Sequence, residues 1–524
     1  MTTETAQSSI AAQLRAVLPH DRVIDDPATL EPYSYDASFW SLRAQRRPDV
    51  VVIPESTADV VATMRIAAAT GTPIVPRGAG TGQTGGAVAA RGGIVVSFAK
   101  MRRIFDIDRP NLQAVVEPGL VFADLQVALG DKGLFFPPDP GSGRACTVGG
   151  MAANNASGPH AVRWGTTSAY VLGAEVVLAD GTVIVTGGMK SRALKSSSGI
   201  DLTKLFVGSE GTLGIFTRLR LRVQPRPPAR AVCLAAYASI DDTVLSLDDL
   251  FAAGILPSTA ELLDRSAVEA IQRYRPDLGL PDGDCLLLVE VEGTPDYVAS
   301  AVRYVDGIVK KRASTTRFAE AEAEIQQLWA ARGGMAAASA LMHPDKHRIF
   351  AGEDLAVPLS EIPRTIRASR EIAAELKIAV LFYGHFGDGN VHTAILIDPT
   401  DADEVKRADQ LADTGRSGAL TPVHRQEGFG HGDRDLGGLE TDHRAVAPDD
   451  LVVGVGSAPC ATRLRNGYAQ GGCNRGVFLS NLHVCLSRVF ADLRDRPPRC
   501  YCGSVTTFRF TCICDPAATT SSAK

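Results

Sequence analysis

"VVVIPESTADVVATMRIAAATGTPIVPRGAG", residues 50–80, decides the fold of the first part of the chain. Its β-branched opening predicts a strand, and Ser56 and Thr57 form a helix start signal before apolar residues that recur at helical spacing from Val60. Gly71 ends this helix, and a second β-branched run follows. The stretch therefore predicts a parallel, right-handed βαβ unit.

Two later stretches extend this domain. "VLGAEVVLADGTVIVTG" from Val171 alternates on both sides of Asp180-Gly181, which predicts a two-residue hairpin turn. "TLGIFTRLRLRV" from Thr212 alternates as well and predicts another strand. Residues 47–225 are thus predicted to form one α+β domain, preceded by a helical segment over 1–46.

The proline-rich stretch "QPRPPAR" at 224–230 cannot continue a strand ladder, so it predicts a domain boundary. Helical patterns follow in "TPDYVASAVRYVDGIVKK", "EAEIQQLWAAR" and "IPRTIRASREIAAELK", and strands in "DCLLLVEVEG", "DLAVP", "IAVLFYGH" and "VHTAILID". A second α+β domain over 226–413, with helices on one mostly antiparallel sheet, is the expected result.

The remaining segment, 414–524, loses this periodicity. It is rich in Gly, Arg, His and Asp, and seven of the ten cysteines fall between Cys460 and Cys514. Such a composition is typical of loops or disordered chain. The predicted fold is therefore α+β with two domains and an irregular carboxy-terminal tail.

Composition narrows the function classes. The 524 residues are 45% hydrophobic and 22% charged, with a formal net charge of −5. No basic cluster interleaved with aromatic residues is present, so we expect no nucleic-acid partner. No apolar run reaches about twenty residues, and the first residues lack a signal-peptide pattern. A cytoplasmic protein, with peripheral docking on a membrane left open, is the interpretation.

"PRGAGTGQTGG" at 76–86 contains Gly80-x-Gly82-x-x-Gly85, the spacing of a dinucleotide fingerprint. A Rossmann unit needs a helix to open at this loop, but the strand starting at Ile94 comes too soon. A glycine run between strands still places successive N–H groups close together, which suits a pyrophosphate. The stretches from Pro137 and from Lys204 are also glycine-rich, and three such segments can converge on one ligand.

These motifs resemble the FAD domain of the vanillyl-alcohol-oxidase type of flavoprotein, in the branch that holds D-lactate and D-2-hydroxyglutarate dehydrogenases and the FAD subunit of glycolate oxidase. The resemblance covers about residues 47–413 and implies a two-subdomain FAD-binding domain with an α+β substrate cap. It implies that FAD is held by Pro76, Gly78, Gly80, Thr81, Gly82, Gly85, Gly86, Pro140, Gly141, Ser142, Thr147, Gly149, Gly150, Asn154, Gly158, Glu210, Gly211 and Ile215. His160 is interpreted as a surface or loop histidine, not as a point of flavin attachment.

By the same resemblance, an arginine after a tryptophan on a cap helix clamps the substrate carboxylate. "LWAAR" offers Arg332 after Trp329. A planar guanidinium matches a carboxylate through two hydrogen bonds, which supports this role. The alternative is a surface arginine whose stem packs on Trp329.

"YGHFGDGNVHTAI", residues 383–395, places His385 and His392 on either side of a glycine-rich turn. Such a turn can direct both imidazoles toward one Zn or Mn ion, whereas histidines beside turns are also often solvent-facing. With the resemblance we expect a metal site at His385 and His392, and we place Asn390 in the same active site.

The third metal ligand and the base come, in the family, from a Gly-Glu-His-Gly motif. Here "RQEGFGHG" places Gln426 and Glu427 at those positions, which puts both roles in doubt. One hypothesis is that the reading frame is shifted near Arg416. The rival hypothesis is a metal module formed by the Cys-x-Cys pairs that begin at Cys500 and Cys512.

The resemblance implies an FAD-dependent dehydrogenase that oxidises a small D-2-hydroxy acid, D-lactate or glycolate, and passes electrons to a quinone, a cytochrome or an electron-transfer flavoprotein. A D-2-hydroxyglutarate dehydrogenase is one alternative. It needs a second cation for the distal carboxylate, and the acids Glu353 and Asp354 disfavour it. An FAD-binding protein without dehydrogenase activity is the other alternative.

Overall fold

The structure is a computed structural model that describes residues 9–39, 41, 46–197, 199–349 and 354–416. These residues belong to one compact unit. The predictions made for Gln426, Glu427 and the cysteine-rich tail lie outside the described residues. Within them, no helix is long and apolar enough to cross a membrane.

The opening stretch forms the predicted strand, helix and strand. β1 (Val23–Ile24), β2 (Val50–Val52), β3 (Ile74–Arg77) and β4 (Ile94–Ser97) make one sheet in the order β1-β2-β4-β3. β2 and β3 both pair in parallel with β4, which lies between them. Three helices belong to this part of the chain: α1 (Ile10–Arg15), α2 (Pro27–Leu30) and α3 (Thr57–Thr70). α1 precedes β1 in the chain, α2 follows β1, and α3 connects β2 to β3. Ser56 caps α3, and Gly71 ends it at φ +67°, a conformation that favours glycine.

A second sheet of five strands is antiparallel throughout. Its order is β5 (Ile104–Asp108), β6 (Gln113–Val116), β10 (Ile215–Arg222), β8 (Val171–Val177) and β9 (Val183–Gly187). The predicted hairpin between β8 and β9 exists, but its turn has three residues, 179–181. Leu178 donates to the carbonyl of Thr182 and accepts from the N–H of Gly181, whose φ is +80°. The two-residue turn expected at Asp180-Gly181 was therefore wrong.

Short elements fill the space around this sheet: α4 (Phe122–Gly130), β7 (Leu134–Phe135), α5 (Val148–Ala153), α6 (Ala161–Trp164), α7 (Thr203–Phe206) and β11 (Gln224–Pro225). β11 pairs with β7, and the strand that follows in the chain belongs to a third sheet. The proline-rich stretch thus lies where the chain passes from one sheet to another.

The third sheet is antiparallel in every pair and contains β12 (Ala229–Tyr237), β13 (Thr259–Asp264), β14 (Cys285–Gly293), β15 (Thr315–Ala319), β16 (His347–Ile349), β17 (Asp354–Ala356), β18 (Ala379–His385) and β19 (Asn390–Ile397). Its helices are α8 (Ile240–Ala252), α9 (Arg265–Tyr274), α10 (Pro295–Val309), α11 (Glu322–Gly333), α12 (Met335–Met342), α13 (Ile362–Glu375) and α14 (Ala402–Arg416). The α+β class predicted from the sequence is confirmed.

Helices cover both faces of this sheet. Cys285, Leu287 and Val289 of β14 pack in one core with residues of α8, α10 and α13. The alternate residues Leu286 and Leu288 pack in another core with residues of α9, α11 and α12. On this second face the alternation continues into Glu290 and Glu292, so buried charge follows an apolar core along a single strand.

Candidate active site

Three glycine-rich segments meet in the first part of the chain. A Cβ on Gly78 would lie 2.4 Å from Oγ1 of Thr147, which joins the first segment to the second. A Cβ on Gly211 would lie 2.4 Å from Cγ of Pro76, and one on Gly86 would lie 3.3 Å from Oε2 of Glu210. The contacts at Gly78 and Gly211 leave no room for a Cβ, and the contact at Gly86 is tight, so the structure brings the three predicted segments together.

The second segment is shaped by a short helix. Thr147 caps α5 and accepts a hydrogen bond from the N–H of Gly150, while Asn154 ends the helix and donates from Nδ2 to the carbonyl of Gly150. Gly149 packs against Pro118, and Gly158 packs against the carbonyl of Asp139. The carbonyls of Pro140 and Ser142 accept turn hydrogen bonds from Gly143 and from Ala145 and Cys146, respectively.

The remaining residues that were predicted to bind FAD have different surroundings. Gly80 and Gly85 have φ of +70° and +83°. A Cβ on Gly82 or Gly141 would have no neighbour within 4 Å, so space remains beside both glycines. Thr81 is half-buried within the first segment. Ile215, the first residue of β10, is buried in a core with residues of the first sheet and of α1 and α3.

The predicted clamp and one predicted metal ligand share a buried carboxylate. Nε of Arg332 on α11 lies 2.5 Å from Oε2 of Glu261 on β13. Nδ1 of His385, at the end of β18, lies 2.6 Å from Oε1 of the same carboxylate. Glu261 has no exposed surface. A single carboxylate therefore fixes both the guanidinium and the imidazole.

A second carboxylate holds the other histidine. Nδ1 of His392 lies 3.0 Å from Oδ1 of Asp354, which also accepts from Nδ2 of Asn390 at 2.7 Å. The rings of His385 and His392 have centroids 4.9 Å apart and an interplanar angle of 84°. Because each Nδ1 faces a carboxylate, Nε2 is the nitrogen of each ring that can bind a ligand.

Tyr383 lies beneath two guanidinium groups. Cζ of Arg332 is 4.7 Å and Cζ of Arg348 is 5.4 Å from its ring centroid. Nη2 of Arg348 donates to the Tyr383 hydroxyl. The Tyr383 ring centroid is also 5.4 Å from that of His392. Two cationic side chains thus contact the aromatic ring beside the histidine pair.

The charges of this group distinguish its two imidazoles. Burial raises the pKa of Glu261, but His385 and Arg332 together outweigh burial and lower it. Burial lowers the pKa of His385, but the charge of Glu261 overcomes this effect and raises it. For His392, burial outweighs the contact with Asp354 and lowers the pKa. His392 is therefore held in the neutral form that binds metals.

The described residues around His385 and His392 supply only part of a metal site. Two imidazoles with carboxylate-bound Nδ1 atoms match the usual surroundings of metal-binding histidines. Among the described residues, however, no third His, Cys, Asp or Glu places a ligand atom in a common group with them. The expected positions of the third ligand and base, Gln426 and Glu427, lie outside those residues.

His160 lies in a loop, which agrees with one half of its interpretation as a surface or loop histidine, but it is not on the surface. It caps α6, but only 21% of its side chain is exposed, and it contacts the third sheet. Its Nδ1 lies 2.6 Å from Oδ2 of Asp139, and its Nε2 lies 3.1 Å from Oε1 of Glu290 on β14. The ring stacks on Trp329, one turn before Arg332 on α11. The surface expectation was wrong because the third sheet covers this loop.

Glu290 and Glu292 complete this second cluster. Trp329 donates from Nε1 to Oε2 of Glu290 at 2.9 Å, and Trp164 donates from Nε1 to Oε1 of Glu292 at 2.7 Å. Ligand atoms of His160, Glu290 and Glu292 all lie within 4.8 Å of one another, so this group could hold a metal ion. Burial opposes protonation of His160, but Asp139 and Glu290 raise its pKa well above the usual value.

The carboxylates that pair with these histidines and with Arg332 were not identified from the sequence. Glu261 and Glu290 occur in the apolar strands "TAELLD" and "LLLVEVEG", where a buried charge needs a partner. That pattern was a usable signal for a functional cluster. Asp354 was considered only as an acid that disfavours a dicarboxylate substrate, whereas it holds His392 and Asn390.

Two family models match the chain. The model described as FAD binding domain matches residues 48–187, and the model described as FAD linked oxidases, C-terminal domain matches residues 226–420. The residues that converge in the glycine segments and the residues around Glu261 fall mainly within these two matches.

Among curated relatives, the chain is 38% identical over 403 residues to glycolate oxidase subunit GlcD of Bacillus subtilis, which covers 76% of this chain and 83% of that protein. It is 34% identical over 438 residues to a probable mitochondrial D-lactate dehydrogenase of Danio rerio, which covers 82% of this chain and 86% of that protein.

Solved structures show the same fold at low identity. Alkyldihydroxyacetonephosphate synthase matches with a TM-score of 0.64 and 18% identity, over 79% of this chain and 81% of that one. p-Cresol methylhydroxylase with substrate bound matches with a TM-score of 0.61 and 18% identity, over 78% of this chain and 86% of that one.

Proposed function

This chain belongs to the FAD-linked oxidases of the vanillyl-alcohol-oxidase and p-cresol-methylhydroxylase family, and from that premise we propose that it oxidises a small D-2-hydroxy acid to the 2-oxo acid. D-Lactate and glycolate are the proposed substrates. The observation that carries the proposal is the shared carboxylate of Glu261, which holds Arg332 and His385 together in the substrate cap.

FAD is the cofactor implied by the family, and the glycine segments fit it. Gly78, Gly86 and Gly211 allow three chain segments to approach one another, and Gly82 and Gly141 leave space at the same place. Backbone N–H groups in such loops suit a pyrophosphate. FAD, when bound, supplies the two-electron acceptor for oxidation of the substrate Cα–H bond.

Arg332 is proposed to bind the substrate carboxylate. Its ion pair with Glu261 uses Nε, so the two terminal Nη groups are not part of that pair. The Nη groups form the planar face that matches a carboxylate through parallel hydrogen bonds. Tyr383 lies under the guanidinium and limits the positions that its plane can adopt. Arg332 therefore orients the substrate as well as binding it.

His385 and His392 are proposed to bind a Zn or Mn ion near the substrate hydroxyl. Their Nδ1 atoms face Glu261 and Asp354, respectively, which orients both rings. The ion, when bound, supplies Lewis acidity that makes the hydroxyl more acidic. Gln426 and Glu427, at the positions where the family has its third ligand and base, lie outside the described residues and are assigned no role here.

Asn390 is proposed to contact the substrate or the metal. Its Nδ2 donates to Asp354, whereas its Oδ1 is buried without a hydrogen-bond partner in the part of the chain that the structure describes. An unsatisfied buried acceptor costs free energy, and a hydroxyl donor or a cation in the site would satisfy it. This orphaned oxygen supports a ligand beside the histidine pair.

A D-2-hydroxyglutarate dehydrogenase is the second candidate, and Arg348 favours it. Arg348 and Arg332 both contact Tyr383, so a second guanidinium lies on the same side of the sheet. Asp354, which counted against this substrate, is paired with His392. A dicarboxylate could therefore place one carboxylate at Arg332 and the other toward Arg348.

The test is reduction of the bound flavin. The purified chain is mixed anaerobically with D-lactate, glycolate or D-2-hydroxyglutarate, and the visible flavin absorbance is followed. Bleaching by D-lactate or glycolate supports the proposal, and faster bleaching by D-2-hydroxyglutarate that Arg348→Met abolishes supports the second candidate. A flavin that all three substrates leave oxidised identifies an FAD-binding protein without dehydrogenase activity. The electron acceptor, a quinone, a cytochrome or an electron-transfer flavoprotein, is sought afterwards with the reduced protein.

A further inference from the structure

A second cluster of ligand-bearing side chains lies between two parts of the chain that contact each other. His160 comes from the loop that precedes α6, whereas Glu290 and Glu292 lie on β14 of the third sheet. The side chains are 21%, 1% and 8% exposed, respectively. None of them takes part in the proposed oxidation.

The geometry of this cluster suits one ion. Two neighbouring ligands of a Zn or Mn ion, each about 2.1 Å from it, lie about 3.0 to 3.4 Å apart in octahedral or tetrahedral coordination. Nε2 of His160 and Oε1 of Glu290 are 3.1 Å apart. A carboxylate oxygen of Glu292 lies within 4.8 Å of a ligand atom of each of these two residues. One imidazole and two carboxylates are a common donor set for divalent first-row metals.

The atoms around the cluster are arranged as they are around bound metals. Nδ1 of His160 faces Asp139, and Nε2 faces Glu290. The outer oxygen of Glu290, Oε2, accepts from Trp329, while Oε1 faces the imidazole. Carboxylates on the far nitrogen of a histidine and hydrogen bonds to ligating carboxylates are the usual supports of a metal site.

The charge of the cluster is compatible with a cation. Three carboxylates and two guanidinium groups form the less exposed part of its ion pairs: Asp139, Glu290, Glu292, Arg163 and Arg230. The fourth carboxylate, Glu322, is 64% exposed. With a neutral imidazole, one negative charge is in excess in the less exposed part, and a bound cation offsets it, as a proton on His160 also does. Uncompensated charge in a largely buried place is unfavourable.

We infer that His160, Glu290 and Glu292 form a binding site for a divalent first-row cation, separate from the His385 and His392 pair. The cation links the loop before α6 to β14 and thereby fastens the glycine-rich part of the chain to the substrate cap. Trp329 contacts both His160 and Glu290, and it lies on α11, the helix that bears Arg332. The cation site is therefore in contact with that helix as well.

The test is a titration of the full-length chain with Mn²⁺, which binds oxygen and imidazole ligands and has little affinity for the cysteines of the tail. The titration uses the variant His385→Ala/His392→Ala, so that uptake at the other pair is removed. Bound Mn²⁺ is followed by the loss of its free electron-paramagnetic-resonance signal. One tightly bound equivalent is expected, and Glu292→Gln and His160→Gln should each weaken it at least tenfold.

Glu322→Gln is the matched control, because Glu322 pairs with Arg230 at the edge of the network and is not a proposed ligand. It should leave Mn²⁺ affinity within about twofold of the parent. Flavin content and the melting transition show that each variant is folded. No bound Mn²⁺ in the folded His385→Ala/His392→Ala chain overturns the inference, and so does uptake that Glu292→Gln leaves unchanged. If that double variant does not fold, the wild type and Glu292→Gln are compared instead, and equal uptake overturns the inference. Substrate turnover is not involved, so failure of the proposed oxidation leaves this result unaffected.

Discussion

Oε1 of Glu261 and Nδ1 of His385 lie 2.6 Å apart, although the two residues are 124 positions apart in the chain. β13 and β18 pair with Glu261 directly opposite His385, so the sheet register creates this contact. The other oxygen of the same carboxylate binds Arg332. Removal of this single carboxylate should therefore disturb both functional side chains.

Glu261→Gln should lower the free energy of unfolding by about 3 kcal/mol, because it leaves a buried guanidinium opposite a neutral amide. It should also raise the D-lactate concentration that half-reduces the flavin. Denaturant unfolding and anaerobic flavin reduction measure the two effects. Glu371→Gln, on the exposed side of α13, is the control. A Glu261→Gln chain as stable as this control would contradict the role of the buried carboxylate.

Arg332→Lys should keep the positive charge but lose the planar pair of donors. We expect the half-saturating D-lactate concentration to rise at least tenfold, with a smaller change in the limiting rate of flavin reduction, since the loss concerns carboxylate binding. Arg273→Lys, at an exposed position on α9, should behave as wild type. An unchanged half-saturating concentration would mean that another residue binds the carboxylate.

His392→Ala should reduce the zinc or manganese content of the purified chain by about one equivalent, because the remaining imidazole cannot hold the ion alone. Elemental analysis of metal-loaded, dialysed protein gives the measurement. His347→Ala, which removes an exposed histidine of β16, provides the comparison and should keep the wild-type content. Equal metal content in both variants would remove the histidine pair from the metal site.

Tyr237 should make the stability of the fold depend on pH, independently of the candidate active site. Burial raises its pKa to about 12, above the value of about 10 in an unfolded chain. Because the folded state favours the neutral phenol, its contribution is complete below pH about 10 and is lost as the pH rises toward about 12. Tyr237→Phe should remove roughly 1 to 3 kcal/mol of the stability loss in this range.

Denaturant unfolding between neutral and alkaline pH measures this effect. Tyr237→Phe should stay within about 1 kcal/mol of wild type near pH 7, because the buried Tyr237 hydroxyl makes at most a weak contact with Ser246. Tyr304→Phe is the control, since 65% of Tyr304 is exposed. If all three proteins lose stability in parallel, Tyr237 does not cause the alkaline loss.

The reading frame near Arg416 can be checked directly. The family match that begins at residue 226 ends at residue 420, whereas the chain continues to residue 524. Resequencing the coding DNA across codons 405–430 should show an insertion or deletion that shifts the reading frame. The displaced frame should encode Gly-Glu-His-Gly near the position of Gln426. A continuous frame in several independent isolates would reject this hypothesis and leave Gln426 and Glu427 as native residues.

Local patterns predicted most of the secondary structure. The cap and stop of α3, the strand β10 and the strand pair β18 and β19 all follow from hydrophobic periodicity and from turn residues. The turn at 179–181 differed because a three-residue loop with a glycine at positive φ is compatible with the same sequence pattern. Periodicity reports which face is apolar but does not determine the number of residues in a turn.

The sequence by itself determined the three glycine segments, the helix that carries Arg332 and the turn between His385 and His392, because each depends on residues close together in the chain. Tertiary structure decided which carboxylates support them. Glu261 is 71 residues from Arg332 and 124 from His385, and Glu290 is 130 from His160. Such contacts are set by strand register and by helix packing on the sheet. A buried carboxylate in an apolar strand indicates that a partner exists, but only the folded chain determines which side chain it is.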